Sequence, residues 1–203
     1  MLERDQVRTG SGVRLTYDDF VLFPDDGKRH ELIDGEHYVT PSPNTKHQRV
    51  SVNLTGLIWS FLQQQPLGQL FAAPFDVVFS HFDVVEPDLI YLSHARAAAI
   101  LTEKHIRGVP ELVIEIGSPS TRRRDETIKR QLYERAGVSE YWVVDPELDV
   151  VRVYRRPVTA QPAECFERAC ELTLEAGDLL TTTLLPGLEL PLSSVFQDSG
   201  TRA

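Results

Sequence analysis

The chain has 203 residues, 41% of them hydrophobic and 25% charged, enough for one sizeable core and too few for a second independent domain to be expected. Its formal charge of −9 argues against a protein that coats nucleic acid nonspecifically, while leaving room for a locally basic cleft. Cys165 and Cys170 fit neither a zinc ligand set nor a disulfide framework, no apolar run approaches the ~20 residues of a membrane span, and the amino terminus has no signal-like core, so a soluble cytoplasmic protein with reduced thiols is expected.

Residues 1–14 lack periodicity and read as a loose lead-in to a single domain over 15–203, with a core at 15–157 and a carboxy-terminal β extension at 158–197. A short helix is expected from Thr16, which serves as N-cap with Asp19 in the first turn. HELIDG and EHYVT then form two short strands about the Asp34-Gly35 turn. Pro41-Ser42-Pro43-Asn44 ends that sheet segment and opens a long helix, in which Val50, Leu54, Leu57, Ile58 and Phe61 make a core-facing stripe until Pro66 and Gly68 stop it. QLFAAPFDVVFS and DVVEPDLIYL read as two strands joined near Ser80–Asp83, and AAAILTEK as a short helix before the strand ELVIEI. A helix over 121–136 precedes EYWVVDP and LDVVRVYRR, which pair about Pro146-Glu147. Strands near CFERACELTLEAG and a segment LLPGLELPLSSVF that packs back on the core complete an α/β (α+β) architecture, a central mixed sheet flanked by helices.

The chemistry concentrates between Val84 and Val144. On a strand, alternate side chains share a face, so Glu86 and Asp88 project together, as do Glu111, Val113 and Glu115. A carboxylate within LVIEI, or beside Leu89-Ile90, is costly unless it is paired or bound to a cation. Two such acids suit Mg²⁺ or Mn²⁺, which keeps several waters, better than zinc, which favours imidazole or thiolate. SPST supplies Ser120 or Thr121 as N-cap of the 121–136 helix, with backbone amides turned toward any nearby anion. Residues 118–136 are locally +3 (Arg122, Arg123, Arg124, Lys129, Arg130 and Arg135 against Asp125, Glu126 and Glu134), a field suited to a phosphate backbone or simply a solvated helix face. Lys129 follows Asp125 by four residues and so fits either a functional cation or an ordinary surface ion pair. His47, near the start of the long helix, fits a cleft or a surface position. No GxSxG elbow, P-loop, GxGxxG or HExxH motif is present.

The run PELVIEIGSPSTRRRDETIKRQLYERAGVSEYWVVDP, with HELIDGE and the Pro-Ser-Pro before a histidine-bearing helix, resembles the Uma-two family of restriction-endonuclease-like proteins within the PD-(D/E)XK nuclease superfamily. The resemblance implies a restriction-endonuclease-like fold and Mg²⁺-dependent hydrolysis of DNA, leaving a 5′-phosphate and a 3′-hydroxyl. It makes Asp88 of Glu86-Pro87-Asp88 and Glu115 of Ile114-Glu115-Ile116 the metal-binding acids, with the Ile116 carbonyl as a further ligand. The usual lysine two residues after the second acid is Gly117 here, and Lys129 on the following helix takes its place; Glu31 becomes an auxiliary acid. Superfamily members commonly dimerise, and Leu179, Leu180, Leu184, Leu185 and Leu188 either cover the core or form a homodimer contact. Two other readings remain at this point: a catalytically silent binding or assembly protein on the same scaffold, and a metal-dependent hydrolase of a small phosphorylated molecule.

Overall fold

The computed structural model describes residues 13–118, 124–157 and 165–197. The expected elements at the amino-terminal end form as the sequence implies. Helix α1 (Tyr17–Phe20) starts in a reciprocal capping box between Thr16 and Asp19. Strands β1 (Arg29–Ile33) and β2 (Glu36–Thr40) meet at Asp34 and Gly35, whose φ values of 54° and 75° are those a two-residue hairpin of this twist requires. Helix α2 (Thr45–Gln64), N-capped by Asn44, buries Val50, Leu54, Ile58 and Leu62, with Leu57 and Phe61 at the edge of the same stripe.

The next two expected strands each divide at a proline. QLFAAPFDVVFS becomes β3 (Gly68–Ala72) and β4 (Val77–Ser80); DVVEPDLIYL becomes β5 (Asp83–Val85) and β6 (Leu89–Ser93). Pro74 and Pro87 have no N–H to give to a ladder, so pairing lapses around them and the hairpin bends. Its outer half, β3 with β6, joins one sheet, and its inner half, β4 with β5, joins another. The Ala73 amide still reaches the Asp88 carbonyl at 3.0 Å across the bend. Glu86-Pro87-Asp88 is therefore the passage between two sheets.

Those sheets, rather than one, form the centre of the molecule. The larger has order β11-β10-β9-β8-β6-β3, with β8 (Leu112–Ile116) parallel to β9 (Glu140–Asp145) and antiparallel pairing elsewhere. Strands β10 (Val150–Arg155) and β11 (Cys170–Thr173) extend it. The smaller, β2-β1-β5-β4-β7, ends on the two-residue β7 (Ile106–Arg107), which follows helix α3 (His94–Ile100).

Alternation along β8 divides the core. Leu112, Ile114 and Ile116 pack with α2, while Val113 packs with Leu132, Tyr133, Val77 and Val85 on the opposite side. Strands β12 (Leu179–Thr181) and β13 (Glu189–Pro191) and helix α5 (Leu192–Phe196) lie against the α2 side. Leu180, Leu185 and Leu188 are buried there and Leu184 is packed against them, so these leucines cover the core; Leu179 alone of the five is exposed. The described part of the 121–136 helix is a π-helical turn at Asp125–Lys129 running into α4 (Arg130–Ala136). Ser120 and Thr121 lie outside the described residues. Among the described residues, no helix is long and apolar enough to cross a membrane.

Two glycines test this packing with opposite signs. A Cβ at Gly68 would stand 2.1 Å from the Leu92 carbonyl oxygen, a backbone atom that cannot move without breaking the β3–β6 pairing. Gly68→Ala should cost about 1–3 kcal/mol in chemical denaturation. Gly56, within α2, would present a new Cβ to open space, so Gly56→Ala should gain about 0.5–1 kcal/mol.

Candidate active site

The site gathers where the two sheets part. Arg29 and Glu31 alternate onto one face of β1; Asp88 follows the Pro87 bend; Glu115 is the one polar residue in the apolar run of β8; Asp125 and Lys129 come from the π turn. Widening the helix to i→i+5 bonding, seen in the Arg130 amide donating to the Asp125 carbonyl, keeps Asp125 and Lys129 on one face; the Tyr141 hydroxyl also donates to that carbonyl, at 3.1 Å. An α-helical turn later, Tyr133 joins the same face.

Lys129 is fully buried. Its Nζ stands 2.7 Å from Glu31 Oε1 and 2.9 Å from Glu115 Oε1. It is thus a shared internal cation and not half of a surface pair with Asp125, the alternative its spacing allowed. The Tyr133 hydroxyl donates to the same Glu115 Oε1 at 2.6 Å, so both described bonds to this carboxylate fall on one oxygen. Glu31 also accepts from the Glu86 amide at 3.1 Å and from Thr40 at 3.3 Å, and lies 3.5 Å from Arg124. Asp88 Oδ1 accepts from Arg29 at 2.8 Å; Oδ2 accepts from the Ile116 amide at 2.8 Å and lies 3.3 Å from His47 Nε2. His47 is accordingly buried at the cleft rather than on the surface.

Asp88, Glu115, Ile116, Lys129 and His47 line one pocket with Arg29, Arg124 and Asp125, and the Pro41-Ser42-Pro43 turn forms its wall. The pocket's free volume is about 20 Å³, room for roughly one water-sized occupant. Glu31 sits immediately behind it through Lys129. A second cavity of about 400 Å³ adjoins it, sharing Arg29, Pro43, His47 and Asp88, with Lys28, Gln48 and Glu86 beyond.

Arg29, Arg124 and Tyr133 are the site residues that the sequence reading did not single out. Strand alternation put Arg29 beside Glu31, and the four-residue step put Tyr133 beside Lys129, so both signals were present. The locally basic stretch is not a free surface: of its described cations, Arg124 and Lys129 turn into the site, Arg130 lies 3.5 Å from Glu134, and Arg135 lies 2.6 Å from Asp83.

Charge dominates the energetics here. Five buried acids (Glu31, Glu86, Asp88, Glu115 and Asp125) face three permanent cations (Arg29, Arg124 and Lys129), leaving the fully ionised cluster two positive charges short. Burial raises Glu31, Glu86, Asp88 and Glu115, and the local partners decide the outcome. At Asp88 burial is outweighed by the His47 contact and the Arg29 guanidinium, which hold it at about 2. At Glu31 Lys129 and Arg124 likewise win, and its pKa is lowered. Glu115 has Lys129 in its favour but Asp125, Asp88 and Glu31 against it, so burial prevails and pushes it up to about 8. Glu86 rises to about 7 through burial, only partly relieved by Arg29. Burial opposes the charge on Lys129, yet Glu115 and Glu31 raise its pKa above the usual lysine value. Carboxylate oxygens with an excess of buried negative charge suit a hard divalent cation such as Mg²⁺ or Mn²⁺.

The family model Uma2, "Putative restriction endonuclease", matches residues 17–193 of the chain. Among solved structures, the chain is similar to a putative nuclease belonging to DUF820 from Anabaena variabilis ATCC 29413, at 22% identity and a TM-score of 0.72 over 90% of this chain and 97% of that one. At that identity the likeness shows a shared fold. No functionally curated protein matches the sequence.

The carboxyl shifts give a definite pH dependence. Glu115 and Glu86 hold protons more tightly folded than unfolded, so their favourable contribution is complete below about pH 4.5 and is lost as pH rises to about 8 and 7. Asp88 acts oppositely, losing its contribution as pH falls from 3.8 toward about 2. Melting in chelator should therefore show stability declining between about pH 5 and pH 8, and Glu115→Gln should flatten that decline. A melting temperature that climbs over this range in the wild type would contradict the charge assignment.

Proposed function

This chain belongs to the Uma2 family of putative restriction endonucleases, and from that premise we propose that it is a nuclease that hydrolyses DNA phosphodiester bonds with Mg²⁺ or Mn²⁺ at Asp88, Glu115 and the Ile116 carbonyl. The observation that carries this reading is the buried ammonium of Lys129 among an excess of carboxylates beside a pocket lined by both acids. A bound divalent cation supplies Lewis acidity, lowering the pKa of a water and offsetting phosphate charge.

The chain's own groups do the rest. Asp88, held ionised, and Glu115 supply oxygens to the cation. The Tyr133 and Lys129 bonds to Glu115 Oε1 leave Oε2 as its free donor. Two of the three N–H donors of Lys129 are engaged by Glu31 and Glu115, and the third serves a water or a phosphate oxygen, orienting the nucleophile and stabilising charge as it develops. Glu31 is a positioning residue, since it acts by holding Lys129. His47 positions Asp88 through its contact with Oδ2, and Arg29 and Arg124, also on the pocket wall, are placed for phosphate oxygens. Cleavage of both strands calls for two sites, which we assign to a homodimer in the cytoplasm whose contact lies away from the buried carboxy-terminal leucines.

One observation favours a second reading, a silent scaffold: both acids assigned to the cation already have an internal partner, Arg29 on Asp88 and Lys129 on Glu115. A cleavage assay on supercoiled plasmid and short duplexes separates the two. The nuclease reading expects strand scission with Mg²⁺ or Mn²⁺, none in chelator, and a loss of about 100-fold or more in Asp88→Asn. No scission with either cation, or scission that Asp88→Asn leaves intact, speaks for the scaffold; scission that survives chelation overturns the metal assignment.

Lys129→Ala should lower the rate by about 100-fold and also cost about 3–5 kcal/mol of stability, because it strands two buried carboxylates. A surface ion pair would cost less than about 1 kcal/mol. Lys129→Arg should not restore the rate, a planar guanidinium being unable to replace a point charge between two acids. Denaturation and single-turnover rates on the same variants check both figures.

A further inference from the structure

Strand β1 alternates, so while Arg29 and Glu31 serve the carboxylate site, His30 turns to the other face of the hairpin. There it meets His37. His30 pairs with Val39 and Leu32 with His37, which makes the two histidines diagonal neighbours across β1 and β2. Their rings are stacked within 7°, and His30 Nδ1 faces His37 Nε2 at 2.9 Å. The far nitrogen of His30, Nε2, lies 2.9 Å from Asp26 Oδ1. Phe23 packs against both rings, at centroid distances of 5.5 Å from His30 and 4.6 Å from His37.

We propose that His30 and His37 form a second cation site, for a borderline divalent metal such as Zn²⁺, Ni²⁺ or Cu²⁺, with Asp26 as the carboxylate that orients it. An ionised carboxylate only accepts, so Asp26 fixes the proton of neutral His30 on Nε2 and leaves Nδ1 as a lone pair. The nitrogen facing it, His37 Nε2, must then carry the shared proton. Moving that proton to the His37 Nδ1 gives a second lone pair aimed at the same point, with no net proton gained or lost by the neutral pair. Carboxylate, imidazole and metal in series is the arrangement that fixes tautomer and ring angle in histidine metal sites.

The geometry asks for little movement. Two metal–nitrogen bonds of ~2.0–2.1 Å at a tetrahedral angle separate the nitrogens by about 3.3 Å. The two nitrogens stand 2.9 Å apart, and the exposed His37 side chain can turn to yield the difference. Waters complete the coordination sphere from the open side. Imidazole nitrogen selects zinc, nickel or copper over magnesium, so this site and the oxygen-lined pocket on the other face of β1 take different ions.

The test uses the whole protein in excess Mg²⁺, which occupies oxygen sites and leaves imidazole sites open. Calorimetric titration with Ni²⁺ should show one bound ion per chain; His30→Gln and His37→Gln should each remove it. Asp26→Asn, which keeps both rings, should weaken it by about 10–100-fold. Asp88→Asn should leave it unchanged. Cu²⁺ bound under the same conditions should give an electron paramagnetic resonance signal coupled to two imidazole nitrogens in the wild type and to at most one in His37→Gln. Nickel binding that is absent, that Mg²⁺ displaces, or that survives both histidine substitutions would overturn the proposal.

Discussion

The rest of this structure depends on one buried ammonium. Lys129 is fully buried, and a lone charge in that position would cost many kcal/mol. It is tolerable only because Glu31 and Glu115 meet it at 2.7 and 2.9 Å. Those acids come from different sheets, Glu31 from the five-stranded one and Glu115 from the six-stranded one, and the lysine from the helical segment that connects β8 to β9. Three elements are therefore held in register by a single cation. Its removal is an architectural change as much as a chemical one, which is why stability and rate have to be read together on any Lys129 variant.

The same triad leaves charge unresolved. One ammonium shared between two carboxylates satisfies Glu31, which also has Arg124 and the Glu86 amide, and leaves Glu115 among like charges. Without a cation the cluster settles by keeping protons on Glu115 and Glu86. On the proposed reading, a divalent ion at Asp88 and Glu115 would meet the same need without protons. Arg29 stands at the junction of the small pocket and the larger cavity, on the carboxylate such an ion would use. On the proposed reading, a guanidinium displaced from Asp88 by an ion would stand beside the phosphate, and one side chain would then couple cation entry to substrate contact.

Much of this was legible in the sequence, for identifiable reasons. Asp88 and Glu115 stand out because a carboxylate in an apolar strand needs an explanation, and the Asp34-Gly35 turn because few residue pairs adopt its backbone. Lys129 could be nominated only by its place on the helix; whether it turned inward depended on a π turn that nothing in DETIK announces. Pro74 and Pro87 were visible, but that each would split a strand between two sheets follows from pairing partners far along the chain. Arg29 and Tyr133 were missed because arginine on a strand and tyrosine on a helix are usually solvated or simply packed; both became site residues through partners that no local pattern reveals, Asp88 and Glu115.

The central claim, that a divalent cation takes over a charge deficit which protons otherwise fill, is tested most directly by counting protons. Mg²⁺ or Mn²⁺ should be titrated calorimetrically into the chelator-stripped protein at pH 7, in buffers of differing ionisation enthalpy. Binding should release about one proton per ion, chiefly from Glu115, and Glu115→Gln should lose most of that release. Binding without proton release, or release undiminished in Glu115→Gln, would contradict the account.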